Sequence, residues 1–143
     1  MKNYNTTLVL NASTEKVFKA ITKELSNWWG KQDKLVEKRN DIFRVSWGEP
    51  WYQFEVVEYI ENEKMIWKCI DANQKIRGLV GVEKEWVNSK IHWSLEKVDS
   101  SRTILTFEHE GLTPKVLCYN VCSNSWSEFL KGSLVKYVKG VDF

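Results

Sequence analysis

The alternation of apolar and polar residues between positions 34 and 110 constrains the fold more than any other feature of the chain. In KIHWSL, for example, Ile91, Trp93 and Leu95 share one face, whereas His92 and Ser94 share the other. Successive side chains of an extended strand point to opposite faces, so this period of two predicts antiparallel strands with one buried face.

Three polar segments divide this region into predicted hairpins: KRND at 38–41, ENE at 61–63 and DSS at 99–101. The strands that they connect are Lys34–Glu37 and Ile42–Trp47, then 51–60 and 64–70, then 86–98 and 102–110. The intervening stretch DANQKIRGLVGVEKE, residues 71–85, has no clear period. Two interpretations of it stay open: a mobile loop with an apolar tip at Leu79 and Val80, or a short buried segment.

Helical patterns replace the alternation at both ends of the chain. A strand at Thr6–Leu10 precedes STEKVFKAIT, where apolar residues recur at helical spacing and Ser13 can cap the first turn. KELSNWWGK is interpreted as a short second helix or a turn that Gly30 stops. After Pro114 the chain is predicted to be helical up to a stop at Gly140. Its apolar stripe consists of Trp126, Leu130, Leu134, Tyr137 and Val138.

This order of strand, helix pair, six strands and long helix predicts an α+β protein with one domain over residues 1–143. A curved antiparallel sheet of about six or seven strands is expected to surround the C-terminal helix. Such a sheet has a concave inner face, and a helix that does not fill it leaves a pocket.

Composition excludes several classes of function. The 143 residues carry a net charge of +2, which is too small and too evenly spread to indicate a nucleic-acid or anionic-membrane partner. No segment reaches the ~18 apolar residues of a membrane span, and the first residues lack the pattern of a secretory signal. Three cysteines do not make a disulfide framework, so a cytoplasmic protein with reduced thiols is expected.

The stretch HEGLTPKVLCYNVCSNSW, residues 109–126, contains the side chains best suited to chemistry. Alternation places His109 at the rim of the concave face, and Cys118 and Cys122 share a helix face. Zinc binding, a thiol activated by the histidine, and simple packing of the helix on the sheet are the alternatives. Packing is favoured because no fourth zinc ligand is evident and the histidine would reach a thiol only if the connecting loop folded back.

The eight tryptophans are the compositional feature that bears most on function, since 13% of the chain is aromatic. Alternation directs many aromatic residues to the concave face, where they form either a filled core or an apolar ligand pocket. Under the pocket hypothesis, Trp28 and Trp29 form its entrance, and His109, Tyr119, Ser133 and Tyr137 are its polar candidates. The predicted pocket consists of Trp28, Trp29, Phe43, Trp47, Phe54, Trp67, Trp93, Phe107, His109, Trp126, Phe129 and Tyr137.

Catalytic machinery is not evident in the sequence. Glu58 is the best candidate for an inward carboxylate, because alternation places it on the face of Phe54 and Val56. There is no glycine-rich phosphate loop, no Ser-His-Asp order and no metal-spaced set of carboxylates. No catalytic residue, metal or cofactor is therefore assigned.

Five segments in this order resemble one family over nearly the whole chain: NASTEKVFKAIT…NWWGK, FEVVEYIENEKMIWKC, EWVNSKIHWSLEKVD, TILTFEHEGLTP and CYNVCSNSWSEFLKGSLVKYVKG. The chain resembles the START-like (Bet v 1-like) helix-grip superfamily called SRPBCC. Within it, the likeness is to the branch named after the C-terminal domain of the heat-shock protein 90 ATPase activator. The resemblance implies a helix-grip fold and a link to the stress response.

Three functions are compatible with these observations. The first is binding of an apolar or aromatic small molecule, or a lipid-like one, in the concave pocket. The second, which the resemblance implies, is a co-chaperone-like interaction with a chaperone ATPase. The third is an enzyme of the cyclase or hydrolase type found elsewhere in the superfamily, with His109 as general acid or base.

Overall fold

Seven antiparallel strands and a C-terminal helix dominate the computed structural model, which describes residues 2–139. The strands are β1 (Tyr4–Leu10), β2 (Lys31–Gln32), β3 (Ile42–Ser46), β4 (Trp51–Ile60), β5 (Lys64–Asn73), β6 (Lys90–Asp99) and β7 (Arg102–Glu110). The helices are α1 (Thr14–Thr22), a 3₁₀ turn (Leu25–Asn27), α2 (Tyr119–Glu128), a π-helical segment (Phe129–Leu134) and α3 (Val135–Lys139). The strand order is β1-β7-β6-β5-β4-β3-β2.

This arrangement confirms the predicted α+β helix-grip fold, a curled antiparallel sheet with a long C-terminal helix. The pairing register places the alternating apolar residues side by side, so that Trp93 lies between Met65 and Phe107 on its neighbouring strands. All three are fully buried. The apolar face of the sheet is therefore continuous from strand to strand, as period-two patterning requires.

The first helix follows its sequence signals. The Ser13 hydroxyl accepts a hydrogen bond from the Lys16 backbone N–H at 3.2 Å, which caps the first turn. Val17, Ala20 and Ile21 are fully buried on the face that packs against the sheet. The next segment, Leu25–Asn27, is a single 3₁₀ turn. It corresponds to the second of the two predicted alternatives, a turn instead of a short helix.

Two predicted strand segments are wrong. Lys34–Glu37 is irregular, and the edge of the sheet is instead the two-residue β2. The Glu37 and Lys38 backbone N–H groups donate to the Asp41 carboxylate rather than to a neighbouring strand. Residues 86–89, predicted as the start of β6, form a turn.

Beyond the end of β5 at Asn73, the stretch at residues 71–85 is a loop with an exposed tip and a buried residue near its end. Its tip is exposed, with 90% of the Val80 surface accessible, whereas Val82 is buried. Hydrogen bonds from Gln74 join the two ends of this loop. Its backbone N–H donates to Glu83 O, and its side-chain amide donates to Val82 O. The result is a loop with an apolar tip and an anchored base.

A β-bulge in β4 overturns the inward placement of Glu58. The register shifts between Val56 and Glu58, so that Glu58 pairs with Ile66 and Tyr59 pairs with the buried Met65. The extra residue of a bulge transfers the following side chains to the opposite face. Glu58 is consequently 40% exposed and forms an ion pair with Lys64.

The C-terminal helix begins at Tyr119, five residues after Pro114, and contains a π-helical segment that its sequence did not reveal. Residues 114–118 form turns. The predicted stop at Gly140 lies outside the described residues. Trp126, Leu130, Leu134 and Val138 are buried at a constant spacing of four. In a helix of 3.6 residues per turn such a stripe drifts by about 40° at each step, and the wider π turn compensates for this drift.

Contrary to the prediction, Gly30 does not end a helix, because the preceding 3₁₀ turn already ends at Asn27. A glycine is needed there because neighbouring side chains leave no room for a Cβ. A Cβ at this position would lie 2.5 Å from Cε2 of Trp47 and 2.8 Å from Cγ1 of Val45. The indole of Trp47 is fixed there, because its Nε1–H donates to Trp29 O at 2.7 Å.

We therefore expect Gly30→Ala to lower the free energy of unfolding by about 1–3 kcal/mol, the usual cost of overpacking. Gly132→Ala is the matched control, since a Cβ there meets no atom within 4 Å and alanine favours a helix. Urea denaturation monitored by circular dichroism measures both. Equal stabilities of the two variants would contradict this account.

Candidate ligand-binding cavity

A cavity of about 230 Å³ lies between the C-terminal helix and one end of the sheet. We call it the aromatic cavity. Its walls come from α2 and the residue after it, from Tyr52 on β4, from the loops that follow β3 and β5, and from Trp29 after α1. The lining residues are Trp29, Trp47, Pro50, Tyr52, Gln74, Lys75, Ile76, Trp86, Val121, Cys122, Ser125, Trp126 and Phe129.

Four of the lining rings form a nearly parallel stack. The plane of Trp126 lies 22° from that of Trp29 and 12° from that of Trp86, with centroid separations of 4.9 and 5.8 Å. Trp86 also stacks on Tyr52, at 3.9 Å between centroids. Stacked rings with offset centroids attract each other beyond the burial of their surface. The cavity wall is therefore preformed and flat-sided.

Gln74 is the polar centre of the aromatic cavity. Its side-chain oxygen accepts hydrogen bonds from the Tyr52 hydroxyl at 2.5 Å and from the Cys122 thiol at 3.2 Å. Its amide nitrogen donates to Val82 O at 3.0 Å, although an amide has two hydrogens to donate. Gln74 is only 1% exposed, so its polar atoms are satisfied mainly by protein partners.

The two cysteines of the C-terminal helix are part of this network. Cys122 lines the cavity, and Trp86 Nε1–H donates to its sulfur at 3.4 Å. Hydrogen bonding to Cys118 and burial together raise the pKa of the Cys122 thiol. The thiol therefore stays protonated at neutral pH and acts as a donor to Gln74, which agrees with a packing role.

The start of the C-terminal helix is capped by a carboxylate from the loop opposite. Glu85 accepts hydrogen bonds from the backbone N–H groups of Leu117 at 2.8 Å and Cys118 at 2.9 Å. A negative charge at this end of a helix satisfies free N–H groups and complements the helix dipole. Glu85 thus connects the residue before Trp86 to the helix that forms the other wall of the cavity.

His109 lies in the core and not at the predicted rim, since it is 1% exposed. Trp126 Nε1–H donates to its Nδ1 at 3.1 Å. Its Nε2 lies 2.8 Å from the Ser89 hydroxyl, which itself donates to Trp86 O, so Nε2–H is the donor. Burial lowers the pKa of His109 to about 3. With both ring nitrogens engaged, His109 is not placed to exchange protons with a molecule in the cavity.

Of the twelve residues predicted to form a pocket, four line the aromatic cavity: Trp29, Trp47, Trp126 and Phe129. Five others are fully or almost fully buried in the sheet: Phe43, Phe54, Trp67, Trp93 and Phe107. Trp28 is buried, with its Nε1–H donating to Ala20 O, and Tyr137 is half-buried, with its hydroxyl accepting from Asn27. The twelfth residue, His109, does not line the cavity but accepts a hydrogen bond from Trp126, which does.

Several lining residues were missed by sequence reasoning, above all Trp86, Gln74 and Lys75. All three lie in or beside the stretch without periodicity, which gave no indication of which side chains return to the sheet. Trp86 was assigned to a strand that begins four residues later. The excess of aromatic residues was the one available signal that it belonged to a site.

Metal-ligating residues are not assembled in the part of the chain that the structure describes. Within residues 2–139, no three His, Cys, Asp or Glu side chains are grouped so that they could hold a metal ion. Nor does any helix in that range have the length and apolar character needed to cross a membrane.

The neutral state of His109 predicts a pH dependence of stability. Between its ordinary pKa of 6.5 and its folded value of about 3, the unfolded chain binds a proton that the native protein excludes. Stability is thus lost as the pH falls, by about 1.4 kcal/mol per pH unit from this residue. In urea denaturation at pH 7.5 and pH 5.0, His109→Gln should show a smaller loss than the unmodified protein. Equal losses would contradict the assigned protonation state.

Comparison with known proteins identifies relatives of this fold. The solution structure of the Aha1 dimer from Colwellia psychrerythraea aligns with a TM-score of 0.76 and 22% identity, covering 96% of both chains. PFC0360w, an HSP90 activator from Plasmodium falciparum, aligns with a TM-score of 0.67 and 18% identity, covering 92% of both chains. Protein MLL2253 from Mesorhizobium loti aligns with a TM-score of 0.75 and 16% identity over 97% of this chain and 99% of its own.

No curated protein matches the chain significantly. The family model described as "Activator of Hsp90 ATPase homolog 1-like protein" matches residues 11–139. This match begins directly after β1 and continues to the end of α3, and it includes every residue that lines the aromatic cavity. The chain therefore belongs to the family of proteins like the activator of Hsp90 ATPase homolog 1.

Proposed function

We propose that this protein binds a small apolar molecule with a flat ring system in the aromatic cavity. The observation that carries the proposal is the wall of nearly parallel rings around unfilled space, formed by Trp29, Trp126, Trp86 and Tyr52. These rings pack against one another, as Trp67 and Trp93 do in the core, but they also border unfilled space between the helix and the sheet.

The size of the cavity limits what it would hold. Its volume of about 230 Å³ is below the roughly 300–1,000 Å³ of pockets that enclose drug-sized ligands. The proposed ligand is therefore small, of about one or two fused rings, or inserts only its ring system. Because the wall is preformed by stacked rings and by the hydrogen bonds of Gln74, little conformational entropy would be lost on binding.

A second candidate function is interaction with heat-shock protein 90. The family match over residues 11–139 and the similarity to an HSP90 activator from Plasmodium falciparum favour it. The observations that favour it do not involve the cavity, so a mutation that fills the cavity tests the two functions separately.

Filling the cavity tests the first proposal. Ser125→Phe places a ring inside the cavity, because Ser125 lines it from the middle of α2. We expect 2-naphthamide at 100 times its dissociation constant to stabilise the unmodified protein by about 2.7 kcal/mol and the variant by much less. Thermal unfolding with and without the compound measures this difference. Asn124→Phe is the matched control, since Asn124 is exposed on the same helix and does not line the cavity.

Retained stabilisation of the Ser125 variant would place binding elsewhere. If 2-naphthamide and a wider set of one-ring and two-ring compounds stabilise neither protein, the proposal is wrong.

The chaperone interaction predicts stimulated ATP hydrolysis. Purified heat-shock protein 90 of the source organism should hydrolyse ATP faster with this protein added, and Ser125→Phe should stimulate it equally. No binding at tens of micromolar and no change in hydrolysis would exclude this candidate.

A further inference from the structure

The polar groups of the aromatic cavity have an uneven balance of charge. Among the described residues that line it, Lys75 supplies one ammonium group, and no carboxylate is present. The remaining polar side chains, Gln74, Cys122, Ser125 and Tyr52, are uncharged, because burial raises the pKa of the Tyr52 hydroxyl and the Cys122 thiol stays protonated at neutral pH. The lining itself therefore presents a ligand with one positive group and no negative one.

Gln74 adds a directional preference. Its side-chain oxygen already accepts from Tyr52 and Cys122, so both of its acceptor positions are used. Its amide nitrogen has one partner within residues 2–139, Val82 O, so that its second N–H has no acceptor in that range. This buried group favours a ligand that presents an acceptor, because an unmet buried donor costs free energy.

Lys75 is placed at the mouth, next to Gln74 in sequence and with its side chain 48% exposed. Its nearest carboxylate is Glu49, at 3.9 Å between Nζ and Oε1. The Glu49 side chain is 77% exposed, and such pairs contribute little in water. The Lys75 ammonium group is thus free to turn to a ligand anion at the edge of the ring stack.

From these observations we infer that the preferred ligand is a planar aromatic acid, with its rings against the wall of stacked side chains and its carboxylate at Lys75. This inference rests on the proposed function and specifies its ligand class. The near-parallel planes of Trp29, Trp126 and Trp86 select a flat ring system. The ammonium group selects the charge, because a charge-assisted hydrogen bond is stronger than a neutral one.

Three compounds of nearly the same shape test the charge preference: 2-naphthoate, 2-naphthamide and 2-naphthamidine, which are anionic, neutral and cationic. Isothermal titration calorimetry at low ionic strength should give about fivefold tighter binding of the naphthoate than of the amide. The amidine should bind most weakly. Added salt should reduce the advantage of the naphthoate and leave the amide unchanged.

Two variants assign the preference to its residue. Lys75→Gln should remove the fivefold advantage of the naphthoate over the amide, whereas Glu49→Gln should increase the affinity for the naphthoate. Lys131→Gln is the control, because Lys131 is an exposed lysine of the C-terminal helix that does not line the cavity. It should leave all three affinities unchanged.

The outcomes separate this inference from the proposed function. Equal affinities of naphthoate and amide, or an advantage that survives in Lys75→Gln, would overturn the aromatic-acid assignment and leave the cavity as a binding site. Failure of all three compounds to bind would overturn both.

Discussion

The indole of Trp126 holds the C-terminal helix on the sheet, and the rest of the structure depends on this contact. Its Nε1–H donates to His109 on β7, and its rings lie 4.5 Å from Phe107 and 4.9 Å from Trp29. Because the hydrogen bond requires an unprotonated Nδ1, it also fixes the neutral form of His109. One side chain thereby joins the helix, the sheet and the segment after α1. It also forms a wall of the aromatic cavity.

The cavity lies where packing of the concave face is incomplete. Toward β5 and β6 the helix meets a filled layer of rings that includes Trp67 and Trp93, whose indole nitrogens have no hydrogen-bond partner among the described residues. Toward β4 and the loop after β5 the helix is kept away from the sheet by Tyr52 and Trp86, whose positions are set by Gln74 and by the Glu85 cap. The polar network therefore keeps the space open, and removing it would allow the helix to approach the sheet.

Sequence patterning predicted the fold well, because period-two alternation and helical spacing are local consequences of burial. Two of the three predicted hairpins, the Ser13 cap and the buried stripe through Trp126 follow from it. Sequence patterning did not predict the side-chain positions that depend on contacts with residues distant in the chain. The bulge that turns Glu58 outward leaves no local signature, and the side chains of residues 71–85 are positioned by Gln74 and Glu85. The cavity was consequently predicted as a set of aromatic residues, of which the structure brings four to its lining.

Nuclear magnetic resonance of the tryptophan indoles would test the central claim most directly, since the eight N–H groups are distributed inside and outside the site. In ¹⁵N-labelled protein titrated with 2-naphthamide, ring-current shifts should be largest for the four indoles of the cavity lining, Trp29, Trp47, Trp86 and Trp126. The indole of Trp51, which lies beneath the Arg44 guanidinium at 3.7 Å, should not move. Shifts confined to Trp51, or equal shifts at all eight indoles, would contradict the account.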